Sequence, residues 1–349
     1  MFTVFAGCDG CEDQAERVLN FALHRMNRKL LLAVAIFLCA APIAPSRNQH
    51  ASLLPKLQPG QTLTYLVRYR SDKNVKTESS VVVPLAPTAS QIDAHGLLQV
   101  QILDLQQAGA RLAIHARCQF LREEGSISAT KPASEKSPFK PQPLTPEGKP
   151  IEFTISSDGI AEKITGLDTL TAEQQQVWQE WVTRFAMAWA IPAQRAKVGD
   201  KWRIEQPEHA PSPIAALSWA RDSSYVRDEP CSPAQLSVSG EATPSNGPMD
   251  TCAVLLTTAR LLQKSSPKDA TPEDFKLHNL KTMGTARGSN EIITYISVST
   301  GLVVRATEEA SQQMDVIVFK TDGSNGVRYS VDAKSQSEVL LLTQARPQP

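Results

Sequence analysis

Few residues of this chain are spaced for chemistry. Its six histidines, His24, His50, His95, His115, His209 and His278, include no two at metal-ligand spacing. Glu123 with Glu124, and Glu308 with Glu309, are adjacent pairs. On a strand such neighbours point to opposite faces, so neither pair could share a proton, and they read as solvated charges. Cys8 and Cys11 have a C-x-x-C spacing, but no second pair or βα pattern follows them. No G-x-S-x-G, H-E-x-x-H, phosphate loop, dinucleotide fingerprint or EF-hand loop is present. The residues therefore require no metal and no cofactor, and the expected activity is non-catalytic.

Two other cysteines carry a structural expectation. Cys231 and Cys252 flank a stretch rich in Pro, Gly and Ser, and in an oxidising compartment such a pair can close the excursion as a disulfide. Cys118 alternates in register with Leu112, Ile114, Ala116 and Phe120, which predicts a buried thiol on a strand.

The strongest candidates for binding are aromatic. Residues 171–202 hold four of the five tryptophans. Thr171 and Gln174 have capping-box spacing, and a helix-favouring run follows them. At helical spacing Trp178, Trp181, Val182, Phe185 and Trp189 share one stripe, opposite Gln176, Gln179, Glu180 and Thr183. Pro192 stops the pattern near Ile191. Such a stripe serves as a core helix packed on a sheet or as a lid over an apolar site. Trp178, Trp181, Phe185, Trp189 and Trp202 are the candidate ligand-contacting residues.

The elements around this stripe read as β. Leu63, Tyr65, Val67 and Tyr69 alternate with Thr64, Arg68 and Arg70, which predicts a strand with one buried face. Further strands are expected over residues 76–84, 97–105 and 110–121, with turns at 71–74 and 107–109. Asp158–Gly159 between two alternating runs predicts a hairpin. Later strands are expected near 215–220, 223–227, 236–240, 252–262, 292–299, 302–309, 314–320 and 327–342. Six prolines between residues 129 and 150 mark a long exposed loop.

The N-terminus reads as an export leader. Leu30 to Ala41 is an unbroken apolar run behind Arg28 and Lys29, too short to span a bilayer and suited to a signal-peptide core. Ala44 and Ser46 place cleavage before Arg47, and translation is expected to begin at Met26. Phe37 and Leu38 before Cys39 are too large for a lipobox, so no lipid anchor is expected. Lys plus Arg equals Asp plus Glu, 36 each, leaving no net field to attract nucleic acid.

Two marks recur. Gly60 and Gly199 each precede a polar pair and an alternating run, and FTISSDGI (153–160) resembles YISVSTGL (295–302). Their order and near-equal separation suggest two related β units.

The P-G-Q-x-L-x-Y opening at residues 59–65, the FTISSDGI hairpin, the helix, and I-P-A-Q-R-A-K-V-G-D-K-W at 191–202 together resemble bacterial exported proteins of unknown function. The order of elements is also distantly similar to the lipoprotein-carrier class. That likeness implies a curved antiparallel sheet with helices over its mouth and an acyl chain inside; it transfers no individual residue.

The expected architecture is mainly β (α+β), with antiparallel sheets in two similar halves packed around one central amphipathic helix. Residues 1–25 form an upstream extension and 26–46 a signal peptide. Residues 47–168 make the first half, 169–192 the tryptophan-rich helix, and 193–345 the second half. The expected function is an exported binding protein of the periplasm or cell exterior, with an apolar small molecule or lipid held between helix and sheet. The alternative is a structural or adhesion module that docks an envelope protein. Neither nucleic acid nor a transmembrane segment in the mature chain is expected.

Overall fold

The computed structural model describes residues 51–79, 85–108, 111–130, 149–156, 158–170, 195–208, 212–237, 242–245 and 249–343. Between these it also describes Gln175, Trp178, Val182, Phe185, Ala186, Ala188 and Trp189. The expected leader, the 131–148 part of the proline-rich loop, Trp181 and most of the expected 171–191 helix lie outside the described residues.

Most of the described chain is strand. In order the elements are β1 (Thr62–Ser79), β2 (Leu85–Ala108), β3 (Arg111–Thr130), β4 (Ile151–Ile155), β5 (Ala161–Thr165), β6 (Lys201–Pro207), β7 (Leu217–Cys231), β8 (Ala234–Leu236), β9 (Ala242–Pro244), β10 (Asp250–Gln263), the short helix α1 (Glu273–Leu277), β11 (Leu280–Ser297), β12 (Val303–Lys320) and β13 (Val327–Leu341). Eleven strands form one sheet in the order β5-β4-β3-β2-β1-β13-β12-β11-β10-β7-β6; β8 and β9 pair separately.

The sheet is continuous, which corrects the expectation of separate sheets. β1 pairs antiparallel with β13 from Tyr65↔Leu341 to Ser79↔Val327, and this ladder joins the first strands to the last. Gly60 (φ 82) and Gly199 (φ 94) open β1 and β6 with left-handed backbone. Gly159 and Gly301 lie in hairpins that follow the fourth strand of the large sheet after each. The residue match fails at the second mark. Phe153 is buried at 1% exposure while Tyr295 is not; its neighbour Ile296 is buried instead, at 0%.

The strands outrun the core. β1 buries Leu63, Tyr65, Val67 and Tyr69, then alternates half-buried and exposed residues from Arg70 to Ser79. The expected turn at 71–74 is absent. Ser71, Asp72, Lys73 and Asn74 are polar because this part of the strand lies beyond the core, and no Gly or Pro among them interrupts the ladder. β2, with 24 residues, is roughly 80 Å long at about 3.3 Å per residue.

Curvature follows from one contact. Laid flat, eleven strands would separate β5 from β6 by roughly 48 Å at about 4.8 Å per spacing. Yet Gln206 on β6 donates from Nε2 to the Asp158 carbonyl, in the β4–β5 turn, at 2.8 Å. The sheet must curl into an incomplete barrel. Because neighbours alternate in direction, the two edge strands run the same way and cannot close the barrel by antiparallel pairing.

The inner face carries two apolar clusters. The larger gathers Leu63, Leu98, Val100, Cys118, Phe153, Tyr225, Leu255, Ile296 and Val339 from strands across the whole sheet, together with Trp178, Val182, Phe185 and Trp189. The smaller, at the other end of β7, β10, β11 and β12, holds Ile214, Leu217, Leu261, Ala270, Ala286 and Val316. A disulfide joins Cys231 to Cys252 with Cα atoms 5.7 Å apart, closing the excursion that contains β8 and β9.

Candidate ligand-binding face

Alternation puts every second side chain of β1, β2 and β3 on the inner face. There Tyr65, Leu98, Val100, Cys118 and Phe120 make an apolar floor, each 5% exposed or less. Against it lie the described residues of the 171–191 segment. Gln175, Trp178, Val182, Phe185, Ala186 and Ala188 have helical backbone, and all of these except Gln175 are buried.

The sequence-predicted candidates fall into three groups. Trp178 (1% exposed), Phe185 (2%) and Trp189 (4%) come together on the floor. Trp178 lies 5.2 Å from Phe120; Phe185 lies 5.6 Å from Tyr65, 6.5 Å from Phe153 and 6.0 Å from Trp189, centroid to centroid. Trp202, on β6, is half-buried and packs against the same cluster from the sheet edge. Trp181 lies outside the described residues. The sheet partners Tyr65, Phe120 and Phe153 were missed as site residues, although the alternation of their strands was the signal that could have found them.

Beside Phe185 and Ala188, over Ile292, Ala306 and Val339, the described residues leave a void of about 20 Å³, too small for an acyl chain. The packing nevertheless strands polar atoms. Tyr65 Oη, Trp189 Nε1 and Trp202 Nε1 are buried without a hydrogen-bond partner among the described residues. Burial pushes the Tyr65 hydroxyl far above its ordinary value, so it remains a neutral donor. The Cys118 thiol is pushed up by the same cause and is inert.

A stranded buried donor costs about 1–3 kcal/mol, which gives a test of this interface. Tyr65→Phe removes the unpaired hydroxyl and leaves the ring packing intact. The expected result is an unchanged or higher urea midpoint, rather than the loss that usually follows deletion of a buried polar group.

Between the two apolar clusters lies a polar belt. Glu308 is not the solvated charge expected from the sequence: it is 6% exposed and accepts from Asn290 Nδ2 at 2.7 Å and Ser337 Oγ at 3.2 Å. Nearby Arg221 is also 6% exposed. Burial lowers its guanidinium to about 10, against the opposing pull of Glu308, Glu208 and Asp158. Three carboxylates around one arginine compensate its charge and leave no preference for an anionic ligand.

The rim of the larger cluster is closed from an unexpected direction. Residues 51–57 cross it: Leu53 (0%) and Leu57 (8%) belong to the cluster, and Ala51 and Ala196 exchange backbone hydrogen bonds of 2.8 and 3.0 Å. Lys56 donates its backbone N–H to Thr300 O and its ammonium to Ser299 O. The β11–β12 turn is organised by Asp250, whose carboxylate accepts from Ser297 Oγ and Ser299 Oγ. Burial pushes this carboxyl up, but those bonds, the Thr251 N–H and the Lys56 charge outweigh it and hold it below the usual range.

The opposite face of the sheet is polar. A groove of about 700 Å³ crosses β1, β13, β12, β11 and β10, lined by Arg70, Asp72, Lys334, Glu309, Glu291 and Arg260 among others. Both signs of charge line it, with Asp72 facing Lys334 and Glu291 facing Glu309 across their ladders. Among the described residues no helix is long and apolar enough to cross a membrane.

No family model matches the chain, and no curated protein matches it. Among solved structures it is similar to lipovitellin, a protein examined for lipid–protein interactions, at 12% identity and a TM-score of 0.37, over 84% of this chain and 26% of that one. It thus spans about a quarter of the lipovitellin chain. A lipoprotein candidate from Parabacteroides distasonis aligns at 9% identity and TM-score 0.21, over 84% of this chain and 98% of that one. An exported-protein candidate of YmcC-like fold from Bacteroides fragilis aligns at 8% and 0.21, over 82% and 98%. All three scores are too low to carry an assignment to this chain.

Proposed function

We propose that the protein is an exported, non-catalytic binding protein of the periplasm or cell exterior, whose apolar or amphipathic ligand takes the place of the aromatic cover on the inner face of the sheet. In this reading residues 171–191 form one helix, and Trp178, Trp181, Phe185, Trp189 and Trp202 touch either the sheet or the ligand. The observation that carries it is the mixed quality of the cover's packing. Each large buried side chain contributes about 1.5–3 kcal/mol, while the stranded Tyr65 Oη and Trp189 Nε1 each give back about 1–3 kcal/mol. A cover held this way can be displaced by an apolar competitor of similar volume, and with about 20 Å³ left beside Phe185 displacement is the route a ligand must take.

The test is a titration of purified protein with a fluorescent hexadecanoic acid, alongside native mass spectrometry. Saturable binding at a single site, with a discrete mass increment, is expected. Absence of both would overturn the reading. A second reading, an envelope docking module, draws support from the charge-lined groove on the opposite face; its test is recovery of an envelope partner that is lost when residues 129–150 are deleted.

A further inference from the structure

We propose that the polar belt is a head-group subsite, in which Arg221 Nε–H and Asn290 Oδ1 take a neutral group that both accepts and donates a hydrogen bond. A primary amide or a hydroxyl at the end of an apolar chain is such a group. The proposal rests on the binding reading for the chain and deepens it by naming the head; the subsite itself is built from described side chains on β7, β10, β11 and β12.

Strand register sets the two groups either side of one small residue. Ala259 on β10 faces Arg221 on β7 and Asn290 on β11, so the Cα atoms of Arg221 and Asn290 lie roughly 10 Å apart at about 4.8 Å per strand. All three side chains share the inner face, and the methyl group of Ala259 leaves the space over β10 to its longer neighbours. Arg221 and Asn290 are each 6% exposed, and each is only partly satisfied. Arg221 Nη1 donates to the Asp158 carbonyl at 3.5 Å, while Nε, on the other edge of the planar guanidinium, has no partner. Asn290 Nδ2 donates to Glu308 at 2.7 Å, while Oδ1 has none. One orphan is a donor and the other an acceptor, and a buried group of either kind costs about 1–3 kcal/mol when unpaired.

The complement follows by elimination. A carboxylate accepts from Nε–H but has nothing to donate to Oδ1, and it meets the buried charge of Glu308. An ammonium donates to Oδ1 but cannot accept from Nε–H. An ester only accepts. A primary amide or a hydroxyl does both. The approach is the void of about 20 Å³ beside Phe185 and Ala188, which Ile292, Glu308 and Ser337 also line. Ile292 is the inner-face residue next to Asn290 along β11. Too small for a chain, this space admits a single group the size of a water molecule. A ligand whose chain takes the place of Phe185 thus brings its head against the belt.

The test is displacement of bound fluorescent hexadecanoic acid by compounds of one chain length, at neutral pH, from wild type and from Asn290→Ala. On wild type, dodecanamide and dodecanol should displace the probe at about tenfold lower concentration than methyl dodecanoate, dodecanoic acid or dodecylamine, the factor that one net hydrogen bond supplies. In Asn290→Ala the gap between dodecanamide and methyl dodecanoate should close, because the acceptor that tells them apart is gone. Equal displacement by all five from wild type, or a gap that survives the substitution, overturns the subsite and leaves the binding reading standing. If Asn290→Ala fails to fold, the order of the five on wild type decides alone. A probe that does not bind wild type overturns both.

Discussion

Trp178→Ala should lower the unfolding free energy by about 3–5 kcal/mol, the range for deleting a large aromatic side chain from a core. The indole is 1% exposed and 5.2 Å from the Phe120 ring, on a floor made by Leu98, Val100 and Cys118. Its removal leaves a hole between the cover and the sheet that rigid strands cannot collapse to fill. Urea unfolding followed by far-UV circular dichroism would show the loss as a lower midpoint at unchanged slope. The same deletion at half-buried Trp202 should cost clearly less, because part of that ring already faces solvent. A Trp178→Ala variant as stable as wild type would mean that the cover contributes little to the fold.

Cys231→Ala with Cys252→Ala should cost about 3 kcal/mol. The bond closes a loop of 21 residues, and in the chain-entropy account closure of a loop that long restricts the unfolded state by about this amount. The effect should be local in the native protein. The bond crosses the end of the β7–β10 ladder, where Asp250 pairs with Cys231 and Cys252 with Glu229, so hydrogen exchange should quicken over residues 228–254 and remain slow in β1 and β2. Loss of protection throughout the sheet would instead assign the bond a global role.

Much of the inner face was legible because alternation is a local signal. Leu63, Tyr65, Val67 and Tyr69 declare a buried face by themselves, and Leu112 to Phe120 place Cys118 on one. Asp158 and Gly159 mark the β4–β5 turn, although that turn holds five residues between Ile155 and Ala161 rather than two. The far halves of the long strands gave no such signal. Beyond Tyr69 there is no core to demand apolar residues, so Ser71–Asn74 resembles a turn while continuing as strand.

The single sheet was illegible for a different reason. It depends on β1 meeting β13, a ladder whose partners are distant in sequence even at its near end, where Ser79 meets Val327, and nothing in either strand names its partner. The burial of residues 51–57 was hidden as well. Leu53 and Leu57 are two leucines in a short proline-bearing stretch, with a period too brief to read, and their burial depends on the hairpin at Gly301. The candidate tryptophans of residues 178–189 were visible as a stripe, whereas the floor beneath them came from three separate strands.

The central claim is that the aromatic cover occupies the place of a ligand. Fluorine NMR of fluorotryptophan-labelled protein tests it most directly during titration with hexadecanoic acid. Trp219, which packs on the smaller cluster, serves as the fixed reference. The account predicts that the Trp178 and Trp189 resonances move together to solvent-exposed positions in step with binding, while that of Trp219 stays. Binding that leaves both resonances where they were would contradict it.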